Sequence, residues 1–291
     1  MSNTRNEWTV LSMLEWATSY FEDREVKSPR LSIEWLLAFV LDIKRLDLYL
    51  KYDRPLTTEE LGILRPFVKR RATHEPLQYI TGEASFYNST IKVNSSVLIP
   101  RQETEQLIQL ISNEQEGKQE LKVLDIGTGS GCIPIALKKE FNTWDISACD
   151  ISSEALNLAD ENATLNNVEV NFFAQDLFNP NLEKSTGKFD LIISNPPYIL
   201  TNEEDKLDDE VKSYEPHLAL FCESTQKMYG AIEKFCSNNL SEAGMLYLEL
   251  HEDYAEEVKA LFTSKKWKAK LVKDLDQKDR FLIASRERSR S

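Results

Sequence analysis

The sequence predicts an α/β fold: a mostly parallel sheet covered by helices on both faces, preceded by a small helical bundle. Three observations carry this. From Leu121 onward, short apolar runs alternate with helical segments, the pattern of parallel strands joined by crossover helices. The first of those runs ends in three alternate glycines, Gly127, Gly129 and Gly131. Ahead of Leu121, up to about residue 80, the apolar positions keep a helical spacing instead.

Residues 1–80 read as helices. Trp8, Leu11, Leu14 and Trp16 begin an amphipathic segment that runs to about Phe21. Ser28-Pro29 supplies a helix start, since proline suits the first turn, and Leu31–Leu41 follows with Trp35, Leu36, Phe39 and Val40. Thr57 and Glu60 have capping-box spacing ahead of Leu61, Leu64, Phe67 and Val68. Residues 81–99 read as a linker, in which Glu83–Tyr87 and Thr90–Val93 form a hairpin around Asn88-Ser89. Residues 100–291 hold a helix at Glu103–Ile111 and then the sheet. Its strands are Leu121–Ile126, Asp145–Cys149, Val168–Ala174, Phe189–Ser194, Met245–Leu250, Lys268–Lys273 and Phe281–Ala284, seven in all. Ile133–Glu140 and Ser153–Asn166 are the helices between the first three, and Arg286–Ser291 reads as a frayed end.

The 291 residues are enough for one large domain and a small one, and 41% hydrophobic with 29% charged residues is ordinary for a water-soluble chain. No apolar run approaches the ~18 residues of a membrane span, and Met1–Val10 lacks the apolar core of a signal peptide, so a cytoplasmic protein is expected. A net charge of −13 argues against a stable grip on nucleic acid, which depends on Lys and Arg neutralising phosphates. Cys132, Cys149, Cys222 and Cys236 form no C-x-x-C pair and read as buried small hydrophobes; no metal site is expected. The acidic stretch Glu203–Glu210 reads first as a solvated loop and second as a steering patch for a basic partner.

Gly127-Thr128-Gly129-Ser130-Gly131 closes one strand and opens a helix, so the backbone can turn tightly and approach a ligand with no Cβ in the way. Asp150, roughly 20 positions on at the end of the next strand, stands where α/β nucleotide sites hold ribose hydroxyls. Glycines plus acid alone would fit a nicotinamide enzyme. The spacing, however, is G-x-G-x-G, and Asp125 just before it is placed to accept from the loop backbone or from a ligand ammonium. S-adenosylmethionine has that ammonium and no pyrophosphate. Asp176-Leu177, after the third strand, is placed to meet an adenine amino group.

The fourth strand stops at Asn195-Pro196-Pro197-Tyr198. Two prolines fix φ, remove two N–H donors and hold the neighbouring carbonyls in place. A side-chain amide, fixed carbonyls and a ring suit a planar –NH2 group: oxygens accept its two N–H bonds while the ring packs on its face.

Taken together these residues resemble the class I, Rossmann-like S-adenosylmethionine-dependent amino-methyltransferases. The flanks are more specific. Glu75–Gly82, Leu98–Glu105, Tyr214-Glu215-Pro216 and Lys278-Asp279-Arg280 are similar to segments of the release factor glutamine methyltransferases, the HemK or PrmC family. The resemblance covers nearly the whole chain. It implies that Gly127–Gly131, Asp150, Asp176 and Leu177 hold S-adenosylmethionine, with Asn195 beside it. It also implies that Asn195–Tyr198 hold the glutamine of the Gly-Gly-Gln loop of class 1 peptide chain release factors, and that the helical domain docks the factor. The product would be N5-methylglutamine. Leu177 departs from members that carry an aromatic there, and Gln102 and Ala243-Gly244 are smaller departures. Rival readings are another protein glutamine, such as one in a ribosomal protein, or adenine N6 of DNA. A cofactor-binding partner without catalysis is a third, and a nicotinamide enzyme the least favoured.

Overall fold

The computed structural model describes residues 7–179 and 188–287. The expectations for residues 1–6 and for the frayed end at 288–291 lie outside the described residues. The chain divides into two compact units: the residues up to Gly82 together with Asp208–Tyr214, and Glu83–Leu207 together with the residues from Glu215 onward.

The first unit is helical. Helix α1 (Val10–Glu22) starts in a capping box between Thr9 and Ser12, and α3 (Thr58–Arg71) in the one expected between Thr57 and Glu60. Between them, α2 (Pro29–Val40) begins at the expected proline, but Ser28 makes no side-chain cap bond. It takes a left-handed φ of 50°, in keeping with the steric exclusion of right-handed helix just before proline. A 3-10 turn at Arg45–Leu50 and the short α4 (Leu77–Thr81) complete it. Leu14, Phe21, Ile33, Leu36 and Leu37 form its dry centre, whereas Trp35 stays half exposed and Phe39 and Leu50 are exposed too.

Buried Arg71 ties in the distant segment. Its guanidinium donates to Ser32 Oγ (3.1 Å) and to the carbonyls of Glu75 (2.8 Å) and Lys27 (3.4 Å), and pairs with Glu210 at 3.0 Å. Lys27 pairs with Asp208, and the Tyr214 hydroxyl donates to the Thr73 carbonyl at 2.6 Å. Much of the acidic loop therefore has structural partners and is not merely solvated. Glu203 joins them, accepting from Lys206 (2.7 Å) and Tyr254 (2.8 Å).

The second unit opens with the hairpin β1 (Glu83–Phe86) and β2 (Ser89–Lys92), whose closing pair is Phe86 and Ser89. The turn is thus Tyr87-Asn88, one residue earlier than expected, with Tyr87 at φ 52°. Helix α5 (Gln102–Glu114) leads to β3 (Lys122–Ile126), α6 (Cys132–Glu140), β4 (Asp145–Asp150), α7 (Ser153–Leu165), β5 (Asn171–Ala174) and β6 (Phe189–Ser194). After β7 (Ile199–Leu200) come α8 (Asp209–Tyr214), which belongs to the helical unit, α9 (His217–Leu220) and β8 (Phe221–Cys222). Then α10 (Thr225–Asn239), β9 (Leu240–Glu249), α11 (Ala255–Ser264), β10 (Trp267–Lys273) and β11 (Asp279–Arg286) close the chain.

The main sheet has the seven strands expected, in the order β10-β11-β9-β6-β3-β4-β5. β9, β6, β3, β4 and β5 run parallel, and β11 is antiparallel to both its neighbours, β9 and β10. Parallel strands covered on both faces need unbroken apolar runs, and Leu191-Ile192-Ile193 is buried throughout. β3 has β4 on one side and β6 on the other. The connections diverge there, so the loops after β3 and β6 border the crevice at which open α/β sheets bind ligands.

Candidate functional site

A cavity of about 740 Å³ lies at the carboxyl ends of β3, β4, β5 and β6, within the range that small-molecule sites occupy. The register explains what meets there. Ile126 is paired with Ser194, and the Ser194 hydroxyl donates to the Ile126 carbonyl at 2.7 Å. The glycine loop and Asn195 therefore leave the sheet side by side. Gly127, Thr128, Gly129, Ser130, Asp150, Asp176, Leu177, Asn195, Pro196 and Pro197 all line the cavity. Gly131 lies behind, against Ala159 of α7, and Tyr198 is not among the lining residues. The Tyr198 ring stands edge-on to His251, centroids 5.9 Å apart, and burial raises the pKa of its phenol, so it stays protonated.

The glycine loop is held from the neighbouring strand. The N–H groups of Gly127 (2.9 Å) and Thr128 (3.0 Å) donate to the Cys149 carbonyl. Gly129 N–H donates to Asp150 Oδ2 at 2.8 Å, and Ser152 N–H to Asp150 Oδ1 at 3.0 Å. It is thus Asp150, rather than Asp125, that accepts from the loop backbone. Each Asp150 oxygen keeps a further lone pair for a ligand hydroxyl. Asp176 is shaped likewise, its Oδ1 accepting from Phe178 N–H at 2.9 Å.

Asp125 is fully buried, and among the described residues neither of its oxygens has a hydrogen-bond partner; nor does the Thr128 hydroxyl. Burial pushes the Asp125 carboxyl up to about 7. The Thr128 hydroxyl, near but not in hydrogen-bonding geometry, pulls it back, and the Asp150 charge adds to the rise. Orphaned acceptors behind the loop fit a cationic or N–H-bearing ligand group. A Cβ on Gly127 or Gly129 would meet nothing within 4 Å, so the loop faces open space. With carboxylates on β4 and after β5, these features fit S-adenosylmethionine. The aromatic that Leu177 lacks stands one residue on: Phe178 lines the cavity, half exposed, with Ile151, whereas Leu177 packs on the main hydrophobic cluster.

The other wall is one that motif reading misses. Pro100, Arg101 and Thr104 line the cavity, and Arg101 is paired with buried Glu215, which also accepts from Ile99 N–H at 3.2 Å. Two segments quoted only for their family likeness are thereby joined. Asn195 Nδ2 donates to the Thr104 hydroxyl at 3.1 Å, and that hydroxyl donates to Glu249 Oε2 at 2.8 Å. Burial pushes Glu249 up to about 7; Thr104 and the Arg280 and Arg101 charges oppose this, and Glu103 adds to it. The signal for Glu249 was present in the sequence: a lone carboxylate ending an apolar strand. Cys132 and Cys149 also line the cavity, but burial raises both thiols, Cys132 to about 12, and leaves them unreactive. Among the described residues no cluster of three or more metal-ligating side chains occurs, and no helix is long and apolar enough to cross a membrane.

Residues 12–82 match the family model described as PrmC N-terminal domain, and residues 102–211 the one described as Methyltransferase small domain. Two solved structures share the fold. A methyltransferase from Pyrococcus furiosus has TM-score 0.50 at 18% identity, covering 69% of this chain and 90% of that one. The hMettl16 catalytic domain has TM-score 0.53 at 16%, covering 80% and 83%. Proteins named release factor glutamine methyltransferase are similar at far higher identity. That of Leptospira interrogans is 37% identical across 96% of this chain and 98% of its own. That of Chlorobaculum tepidum is 37% identical across 94% and 96%, and that of Lactococcus lactis 43% across 78% and 83%. The chain belongs to the release factor glutamine methyltransferase family.

Proposed function

We propose that the chain methylates the side-chain amide nitrogen of a protein glutamine, that of the Gly-Gly-Gln motif in class 1 peptide chain release factors. The product is N5-methylglutamine. The carrying observation is that the Asn195-Pro196 tip and the glycine loop share one cavity. S-adenosylmethionine, when bound, supplies an electrophilic methyl carbon. Gly127–Gly131 give it a close backbone approach, Asp150 takes its ribose hydroxyls, and Asp176 with Phe178 serves its adenine. Asn195 Oδ1 and the Pro196 carbonyl accept the two N–H bonds of the target amide, and for Tyr198 to pack on its face the ring has to turn from His251 toward the cavity. The amide nitrogen is a weak nucleophile, so alignment has to supply much of the rate, and proximity is worth up to ~7–11 kcal/mol in favourable cases. The two acceptors also favour the charge that develops on the nitrogen. No strong base is needed, because methylation makes the nitrogen far more acidic. The helical unit docks the factor, a role its exposed Trp35, Leu46 and Leu50 support.

The test is methyl transfer from labelled S-adenosylmethionine to purified release factor, beside a factor lacking that glutamine, a ribosomal-protein substrate and duplex DNA. Label on the intact factor alone is expected. Equal labelling of the factor without its glutamine, or label on DNA only, would refute the reading. Asn195→Ala should abolish turnover while leaving cofactor affinity intact.

A further inference from the structure

The chain Glu249–Thr104–Asn195 decides which end of the Asn195 amide faces the cavity. Asparagine's oxygen and nitrogen are nearly equal in size, so packing cannot choose between them and only hydrogen-bond polarity can. The Thr104 hydroxyl has one proton to give, and it goes to Glu249 Oε2 at 2.8 Å. The lone pair left over receives Asn195 Nδ2 at 3.1 Å, which turns Oδ1 the other way. Were the hydroxyl to point at Asn195 instead, the amide would flip and set a donor against the donors of an –NH2 group.

We propose that Glu249 and Thr104 are positioning residues that set the polarity of Asn195, so that an acceptor rather than a donor meets the target amino group. This rests on the reading that the substrate is a primary amide. An ionised carboxylate at the buried end of β9 costs desolvation that a glutamine would largely avoid. What the carboxylate offers in exchange is that it only accepts, whereas a glutamine or a protonated Glu249 can also donate to Thr104 and reverse the chain. The charged and titratable groups acting on Glu249 are Arg101 and Glu103 before and on α5, Arg280 on β11, Tyr198, Tyr229 on α10 and Cys132 on α6. Burial dominates among these influences and holds the carboxyl near neutrality.

The experiment compares wild type, Thr104→Val, Thr104→Ser and Glu249→Gln between pH 6 and pH 9. It measures kcat and KM on the release factor, the Kd for S-adenosylmethionine, and the ¹⁵N signals of the Asn195 side-chain amide, assigned by their loss in Asn195→Ala. Thr104→Val should lower kcat roughly tenfold, the scale of one lost hydrogen bond, with cofactor Kd unchanged. Thr104→Ser should restore most of it. Glu249→Gln should lower kcat and flatten the rise in kcat that wild type shows as Glu249 ionises. The Asn195 signals of wild type without any substrate should move across the same pH range. The proposal is overturned if both Thr104→Val and Glu249→Gln stay within about twofold of wild type, or if Thr104→Val leaves the Asn195 signals unmoved. Where one of the two variants fails to fold, the other decides. A wild type that methylates no glutamine would sink the functional reading while the amide signals still report on the chain.

Discussion

Gly131 and Gly129 sit two residues apart in one loop, yet replacing each with alanine should damage different properties. Gly131 has φ 79°, and a Cβ there would lie 3.0 Å from Ala159 Cβ, 3.3 Å from Ala159 Cα and 3.3 Å from Ile135 Cδ1. Ala159 and Ile135 are wholly buried, so there is little room to give. The loop is also tied to α7 by Asn162 Nδ2, which donates to the Ser130 carbonyl at 2.9 Å. Left-handed backbone costs about 1–2 kcal/mol for a residue with a Cβ. Overpacking of a filled interior adds about 1–3 kcal/mol. Gly131→Ala should therefore destabilise the sheet unit by roughly 2–5 kcal/mol, which lowers its melting temperature by at least about 4 °C. Gly129 has φ 54° with nothing within 4 Å of its Cβ, so only the backbone term of about 1–2 kcal/mol applies. The new methyl would stand at the cavity wall, so its larger effect should be on ligand affinity. Thermal unfolding of the two variants without ligand, and calorimetric titration with S-adenosylmethionine, read the two properties separately. Equal melting temperatures for Gly131→Ala and wild type would refute the packing argument. Tighter or equal cofactor binding by Gly129→Ala would refute the cavity-wall assignment.

Asp150→Ala removes the acceptor of Gly129 and Ser152 N–H as well as the carboxylate facing the cavity, and should raise the cofactor Kd at least tenfold; an unaltered Kd would take Asp150 out of the site. For Asp125 the sign follows from its raised pKa: the folded chain keeps the proton up to about 7 whereas the unfolded chain loses it near 3.8. The stability this group contributes is thus full below pH 4 and lost as pH rises through 7. Wild type should fall by roughly 2–3 kcal/mol relative to Asp125→Asn between pH 5 and pH 8 without ligand, a trend that denaturant titrations at the two pH values will detect. Arg71→Ala leaves Glu210 and two carbonyls without their buried cation, and should cost about 3–5 kcal/mol and hasten proteolysis around Asp208–Tyr214; unchanged cleavage there would count against the tie.

Much of the sheet was legible because buried parallel strands leave continuous apolar runs, as at Leu191–Ile193. Strand order was not, since periodicity says nothing about which strand lies beside β3. Helices α10 and α11 are passed over when strands are read first. Yet Tyr229, Ile232 and Cys236 have helical spacing, and Lys227, Lys234 and Asn238 make up the solvent face. Val168–Ala174 shortens to Asn171–Ala174, because Asn166, Asn167 and Val168 still bond back to α7 and close that helix. In the site, the glycine loop, Asp150, Asp176 and Asn195 could be found as local patterns. Glu249 could too, as a lone carboxylate ending an apolar strand, but its link to Thr104, 145 residues away, is made only by the fold. Asp125 was noticed for its position but given the bonds that Asp150 makes.

The helical unit is discontinuous in sequence, and that has a consequence during synthesis. Arg71 emerges early, but the carboxylate that neutralises it, Glu210, follows some 140 residues later. At about 5–20 residues per second the ribosome leaves Arg71 without that partner for on the order of ten seconds. Over that interval α1 to α4 can gather around Leu14, Phe21 and Ile33, but the bundle is finished only after β3 to β6 have been made. A fragment ending at Gly82 would stay in this unfinished state permanently.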